Sequence, residues 1–219
     1  MVAIRTLLDG ADADLHYLAG MFSAGRIRVE QRGGTYWLSG VGLESKQTAL
    51  QAATELLAVV NGLAMAQHPD FRPVTLPGSF QEDGQPNFAQ RRYTMEVRPN
   101  LSESAMVTGP WPDGPAYTEA ATRNPHLAGA LALMGESGAE LDFARLYKVY
   151  EIIEHAGVLN AVMQATGISK GDLRGFTHAA NYQARHAHGR VRPPKNPMPL
   201  QKARTMINQL LSAWINSEM

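Results

Sequence analysis

The stretch that most constrains the fold of this chain is residues 169–188, where polar and apolar side chains separate at helical spacing. At about 100° per residue, five polar side chains fall within roughly 40° of one line along a helix. An apolar stripe runs beside that line, so such a helix needs a packing partner. The polar line consists of Arg174, His178, Asn181, Arg185 and His188, and the apolar stripe of Leu173, Phe176, Ala180, Ala184 and Ala187.

Further helices with their own start signals are predicted in the same half of the chain. Ser169 and Asp172 have the spacing of a capping box at the start of the 169–188 helix. Asp142 can cap a preceding helix, and Pro199 can open a final one. The apolar stripe of that final helix consists of Ala203, Ile207, Leu210 and Trp214.

The N-terminal part has a different pattern, which indicates a small sheet. Two runs with alternating polarity, 26–32 and 35–38, are separated by Gly33 and Gly34, and this is a hairpin signal. An amphipathic helix is predicted from about residue 45 to residue 67. A helix packed on a small antiparallel sheet is the simplest arrangement that buries both apolar faces.

The division between the two parts is expected near residues 108–116, which contain three prolines and two glycines. This composition predicts no regular element. We therefore expect an α+β fold with an α+β domain over residues 1–105, a linker over 106–125 and an all-helical bundle over 126–219.

The composition excludes several classes of site and indicates a compartment. The chain has no cysteine, which excludes disulfides, zinc-thiolate sites and thiol nucleophiles and fits a reducing cytoplasm. Asp9, Asp12 and Asp14 interrupt the N-terminal segment, so no secretory signal is expected there. The longest apolar run, 56–66, is too short to cross a bilayer. We expect a cytoplasmic protein that does not associate with a membrane.

The zero net charge of the chain conceals an uneven distribution. Residues 170–204 hold eight Lys or Arg against one acid, so this segment carries +7, whereas residues 1–169 carry −6. A basic segment on an acidic body predicts a polyanionic partner such as RNA. The alternative is that the basic segment pairs with the acidic remainder of the same chain.

Four segments carry a resemblance to a known family: LYKVYEIIE (146–154), FTHAANYQARH (176–186), PPKNPMPLQKA (193–203) and INQLLSAWI (207–215). They resemble a set of uncharacterised bacterial proteins whose C-terminal halves are similar to the HEPN superfamily of helical domains. The resemblance covers about 80 residues and does not reach the N-terminal part. The matching positions are Lys148, Glu151, Asn181, Arg185, His186, Pro197, Met198 and Trp214.

The resemblance implies a helical bundle that dimerises, in a bacterial toxin or defence setting. Many HEPN domains are metal-independent endoribonucleases and others are inactive binding modules. The catalytic signature of the superfamily is an Arg and a His separated by four to six residues. In this chain Arg174 and His178 are separated by three residues, and Arg185 and His188 by two.

The sharpest functional hypothesis is cleavage of RNA without a metal ion, in which the 2′-hydroxyl attacks the adjacent phosphate. Arg185 would hold the phosphate, His186 or His188 would transfer protons, and Asn181 would orient a His or a phosphate oxygen. Two copies that face each other across a homodimer would supply two such sets. The expected substrate-binding residues are Arg174, His178, Lys148, Arg190 and Arg192.

The alternative hypothesis is a non-catalytic interaction or dimerisation module. In it Arg185 pairs with Glu151 on a neighbouring helix, and the pair holds the bundle together. Lys148, Glu151 and His155 share one face of their helix by the i, i+3, i+7 rule, and this face could meet the Arg/His line.

A metal site is the third interpretation. His186 and His188, with His178 or His155, are residues that zinc binds. No Asp or Glu lies at a sequence spacing from them that is typical of a metal site. We therefore expect neither a metal ion nor a cofactor.

Overall fold

The structure of the protein is a computed structural model that describes residues 4–40, 43, 48–82, 88–89, 112–136, 141–185 and 196–219. Within these residues the fold combines helices with one small antiparallel sheet, as the α+β prediction requires. In chain order the elements are β1 (Ile4–Leu8), α1 (Asp12–Met21), β2 (Arg28–Arg32), β3 (Thr35–Ser39), α2 (Ala49–Gln67), β4 (Ser79–Glu82), β5 (Phe88–Ala89), α3 (Gly114–Arg123), α4 (Pro125–Gly135), α5 (Phe143–His155), α6 (Leu159–Thr166), α7 (Lys170–Arg185) and α8 (Leu200–Ser217).

The described strands lie in the order β2-β3-β1-β4-β5, and every neighbouring pair is antiparallel. The predicted hairpin is confirmed as β2 and β3. Its turn places Gly33 and Gly34 at φ values of 56° and 81°, which a residue with a Cβ adopts only with strain.

The central strand β1 has no counterpart among the sequence predictions. It pairs with β3 on one side and β4 on the other, with Leu7 opposite Trp37 and Thr6 opposite Phe80. Four of its five side chains are buried, so the polarity of the strand does not alternate. A short strand that is buried on both faces leaves no periodic signal in the sequence.

The predicted helix starts of the C-terminal half are confirmed by their hydrogen bonds. The Asp142 carboxylate accepts the N–H of Arg145 at 2.9 Å. At the start of α7, the Ser169 hydroxyl oxygen accepts the N–H of Asp172 at 3.1 Å and its proton is donated to the Asp172 carboxylate at 2.6 Å. Pro199 immediately precedes α8. The predicted stripe of α8 is fully buried: Ala203, Ile207, Leu210 and Trp214.

The prediction that residues 108–116 hold no regular element is wrong for residues 114–116, because α3 begins at Gly114. The Asp113 carboxylate caps this helix by accepting the N–H of Ala116 at 3.1 Å. Pro115 lies in the first turn, where the N–H that proline lacks has no helical partner in any case. Part of the Pro- and Gly-rich composition is therefore a helix-start signal.

Residues from both sides of the predicted linker belong to one continuous hydrophobic core. Its tightest contact joins α2 to α4. A Cβ at Gly62 would overlap the backbone carbonyl of Leu131, and a Cβ at Gly135 would overlap the carbonyl of Ala58. The two helix backbones thus touch, which only glycine permits.

A buried side chain, Asn61, connects three segments at this contact. Its Nδ2 donates to the carbonyls of Val74 at 3.0 Å and Gly135 at 3.1 Å, and its Oδ1 accepts the N–H of Val74 at 3.1 Å. Asn61 has no exposed surface, so these bonds satisfy an amide that would otherwise be costly to bury. One residue of α2 thereby holds the segment before β4 and the end of α4.

By length and apolar composition, α2 alone among the described helices passes as a candidate membrane span. More than half of its apolar window is buried inside the fold, and core helices of soluble proteins share both properties.

The α2–α4 contact predicts that substitution by alanine changes the stability of the fold differently at two glycines. We expect Gly62→Ala to lower the free energy of unfolding by about 3 kcal/mol, because its methyl group overlaps the backbone of α4. Gly129→Ala is the matched control: nothing lies within 4 Å of a Cβ at this position of α4, so it should be neutral or stabilise by up to about 1 kcal/mol. Urea denaturation measures both, and equal stabilities would contradict the backbone contact.

Candidate functional site

The polar line predicted on α7 is exposed where the structure describes it. Arg174 and His178 are exposed and lie one turn apart on the same side of the helix, and Asn181 is half-buried. Phe176, Ala179 and Ala180 are buried on the other side. Among the described residues, neither Arg174 nor His178 forms an ion pair.

An aromatic cluster sets the rotation of α7. Phe176 is fully buried, and its ring centroid lies 6.4 Å from those of Phe143 and Tyr147 and 5.9 Å from that of Tyr150, all on α5. A residue two positions away on a helix is rotated by about 200°. Arg174 and His178 each lie two positions from Phe176 and are therefore turned outward.

The residues predicted to be catalytic lie mostly beyond what the structure describes. The backbone of Arg185 ends α7, and Asn181 lies one turn before it. The side chain of Arg185 and the residues His186, His188, Arg190 and Arg192 lie outside the described part of the chain. Their roles as catalytic and substrate-binding groups stay predictions.

A second group of polar residues comes together on α5. Lys148, Glu151 and His155 share one face of the helix, as predicted, and they line an open depression of about 740 Å³. His126 of α4 completes it, with its ring edge-to-face against that of His155 at a centroid distance of 5.5 Å. The sequence analysis missed His126 because only the packing of α4 on α5 brings the two imidazoles together. Arg174 and His178 do not line this depression.

The environment of Glu151 bears on the predicted pair with Arg185. Glu151 is exposed. An ion pair formed by this carboxylate would therefore lie at the surface, where such pairs contribute at most about 1 kcal/mol. A surface pair of this kind would leave the guanidinium of Arg185 accessible to a ligand.

Three of the four basic side chains that the structure describes in the segment 170–204 have no carboxylate partner. The one acid of this segment, Asp172, pairs with Lys202 at 3.2 Å, so the pair joins α7 to α8 within the segment itself. Hydrogen bonds from Ser169 and then from Lys202 hold the pKa of Asp172 below its usual range. Among the described residues, Lys170, Arg174 and Arg204 have no carboxylate partner, and none of the segment's charges pairs with the acidic body.

Tyr150 adds a neutral hydrogen-bond donor beside the α5 depression. Its hydroxyl donates to the Glu154 carboxylate at 3.0 Å. Burial, and then this bond, raise the pKa of Tyr150 to about 12. The phenol therefore stays protonated at neutral pH and positions Glu154.

No group of three or more His, Asp or Glu side chains that could hold a metal ion occurs in the described ranges. His186 and His188, which the metal interpretation requires, lie outside these ranges. The metal interpretation is therefore limited to a site that would include them.

The chain matches no protein-family model, no curated protein and no solved structure. The resemblance to the HEPN superfamily accordingly stays a prediction. The exposed side of α7 and the depression on α5 are the surfaces that hold the described residues of the predicted site.

The capping box at the start of α7 predicts a shift in the titration of one carboxylate. Ser169→Ala removes the main group that stabilises ionised Asp172, so the pKa of Asp172 should rise toward the usual carboxyl range. Because a lowered pKa stabilises the fold only above it, the difference in stability between wild type and variant should narrow as the pH falls through that pKa, and the part due to the Ser169 hydroxyl accepting the N–H of Asp172 should remain. Carboxyl ¹³C NMR titration measures the shift.

Thr177→Ala is the control for this titration, since Thr177 bonds only the carbonyl of Arg174 within the same helix. It should leave the pKa of Asp172 unchanged. An unchanged pKa in Ser169→Ala would show that Lys202 alone sets the titration.

Proposed function

We propose that the C-terminal helices form a HEPN-like bundle that binds RNA or nucleotide phosphates through the side of α7 that carries Arg174 and His178. The observation that supports this most directly is the exposure of these two residues one turn apart, with no ion pair among the described residues. A guanidinium forks onto phosphate oxygens, and an imidazole donates hydrogen bonds or protons near neutral pH. The burial of Phe176 holds both outward before any ligand arrives.

The charge of the surrounding segment supports the same proposal. Residues 170–204 carry +7, and the segment's one acid, Asp172, is paired with Lys202 at the surface. A positive surface raises the rate of encounter with a polyanion and releases its counterions on binding.

In its catalytic form the proposal is a metal-independent endoribonuclease that acts as a cytoplasmic homodimer in a bacterial toxin or defence system. Arg185 would clamp the phosphate, His186 or His188 would transfer the protons, and Asn181 would orient them. The half-buried position of Asn181, one turn before Arg185, suits an orienting group. Lys148, Arg190 and Arg192 would extend the bound strand.

A second candidate, the non-catalytic interaction module, is favoured by the depression on α5. Its residues are mixed in sign, with Lys148, His126 and His155 beside Glu151 and Glu154. A surface of mixed charge fits a protein partner or a second copy of the chain better than it fits a polyanion.

The binding proposal predicts a defined loss of affinity. At 0.1 M salt, Arg174→Gln should weaken binding of single-stranded RNA about tenfold and lower the slope of log K against log salt by about 1, because one phosphate contact is lost. Arg123→Gln is the control, since Arg123 is exposed on α3 and pairs with Glu119. Fluorescence anisotropy measures both, and RNA binding that is equally weak in the two variants would count against α7.

The catalytic form is tested by incubating structured and single-stranded RNA with the protein in EDTA. We expect cleavage by wild type and its loss in Arg185→Ala and in His186→Ala, with unchanged unfolding temperatures. If wild type does not cleave and both variants lose stability instead, these residues maintain the bundle, and the interaction module becomes the better account.

A further inference from the structure

A cleft of about 660 Å³ lies between the first half of α8 and the end of α2 with the segment that follows it. Met65, Phe71 and Leu141 contribute apolar surface to it. The volume is within the range of small-molecule sites, roughly 300–1,000 Å³. None of the residues that line the cleft belongs to the exposed side of α7 or to the α5 depression.

The cleft contains a buried polar group without a partner. Asn208 of α8 lines it and is 8% exposed, and its Oδ1 is buried with no hydrogen bond. Its Nδ2 donates no hydrogen bond to any described residue. A buried carbonyl oxygen left unpaired costs about 1–3 kcal/mol, so folded proteins rarely retain one. The Oδ1 has no accessible surface, so the carboxamide can meet a ligand in the cleft only through its Nδ2.

Two arginines line the same cleft, one on α8 and one on the segment after α2. Arg204 lies one turn before Asn208 on α8, and Arg72 lies on the segment after α2. Both are half-buried, and neither side chain forms an ion pair among the described residues. The carboxylate on the lining, Asp70, is exposed. Among the described residues, the acceptor bonded to Arg72 is the Asp14 carboxylate, which accepts its backbone N–H at 3.1 Å.

An imidazole adds a further donor on the α2 side. Nδ1 of His68 accepts the N–H of Asp70 at 3.2 Å, and the ring lies edge-to-face on Tyr17. With Nδ1 engaged as an acceptor, the neutral ring carries its proton on Nε2, which is then a donor. The α8 wall is polar over about 10 Å, from Gln201 to Asn208, since these residues recur at helical spacing.

We propose that this cleft binds a nucleoside phosphate. Arg72 and Arg204 hold the phosphate group, because paired guanidiniums bind its oxygens in a bidentate manner. The Nδ2 of Asn208 donates to an acceptor on the edge of the base. Asp70 accepts the ribose hydroxyls, as acidic residues do in dinucleotide sites. The apolar side chains cover the face of the base.

The site is independent of the RNA surface proposed on α7, so the two proposals can fail separately. Isothermal titration calorimetry on the full chain is run with AMP, GMP, CMP and UMP, and with inorganic phosphate and the matching nucleosides as probes. We expect one nucleotide to bind at least about tenfold tighter than phosphate and than its nucleoside, since each supplies only part of the contacts. No binding, or binding of phosphate as tightly as of any nucleotide, overturns the proposal.

Variants distinguish the cleft from other surfaces. Arg204→Gln should weaken the nucleotide about tenfold, whereas Lys202→Gln, on the same helix but outside the lining, should not. Asn208→Leu should abolish the preference among bases while leaving the unfolding temperature of the free protein equal or higher, because an unpaired buried amide is removed. Retention of base preference in Asn208→Leu, or equal losses in the Arg204 and Lys202 variants, would overturn the assignment.

Discussion

The contact between α2 and α4 is the constraint on which the rest of the fold depends. The backbones of Gly62 and Gly135 approach so closely that a methyl group fits at neither position. The side-chain amide of Asn61, beside Gly62, hydrogen-bonds the segment before β4 and the end of α4. Because α2 also packs on α1, α3 and α8, these few atoms join the sheet side of the molecule to the helical side. The buried amide makes this contact specific, since any shift in register would leave it unpaired.

A short series of packing contacts that starts at this core sets the orientation of the exposed side of α7. α4 packs on α5, and α5 packs on α7 through the aromatic rings around Phe176. Phe176 faces inward, so Arg174 and His178 face outward whether or not a ligand is bound. Their exposure is thus a consequence of packing that contains no functional residue. A substitution in the aromatic cluster would turn the exposed side of α7 without changing any residue on it.

The two proposed ligand surfaces differ in how many of their polar groups have hydrogen-bond or ion-pair partners within the chain. On α7, Asp172 is fully engaged by Ser169 and Lys202, and the exposed cations remain solvated. In the cleft, Asn208 is removed from water without a partner. An exposed cation costs nothing when no ligand is present, whereas a buried unpaired amide does. Oδ1 of Asn208, like Nε2 of Gln67 on α2, is therefore a buried atom that the described part of the protein leaves without a hydrogen bond.

The sequence by itself determined the features that act within one turn of chain. The cap at Asp142, the capping box at Ser169 and the glycine turn of the hairpin are local, and the structure has all of them. The helical spacing also predicted the burial of Phe176 and hence the outward side of α7. Tertiary structure alone decided the rest. It placed β1 at the centre of the sheet, turned part of the expected linker into α3, set His126 against His155 and closed a cleft over Asn208. These features depend on contacts between residues far apart in the chain, which leave no periodic signal in either partner alone.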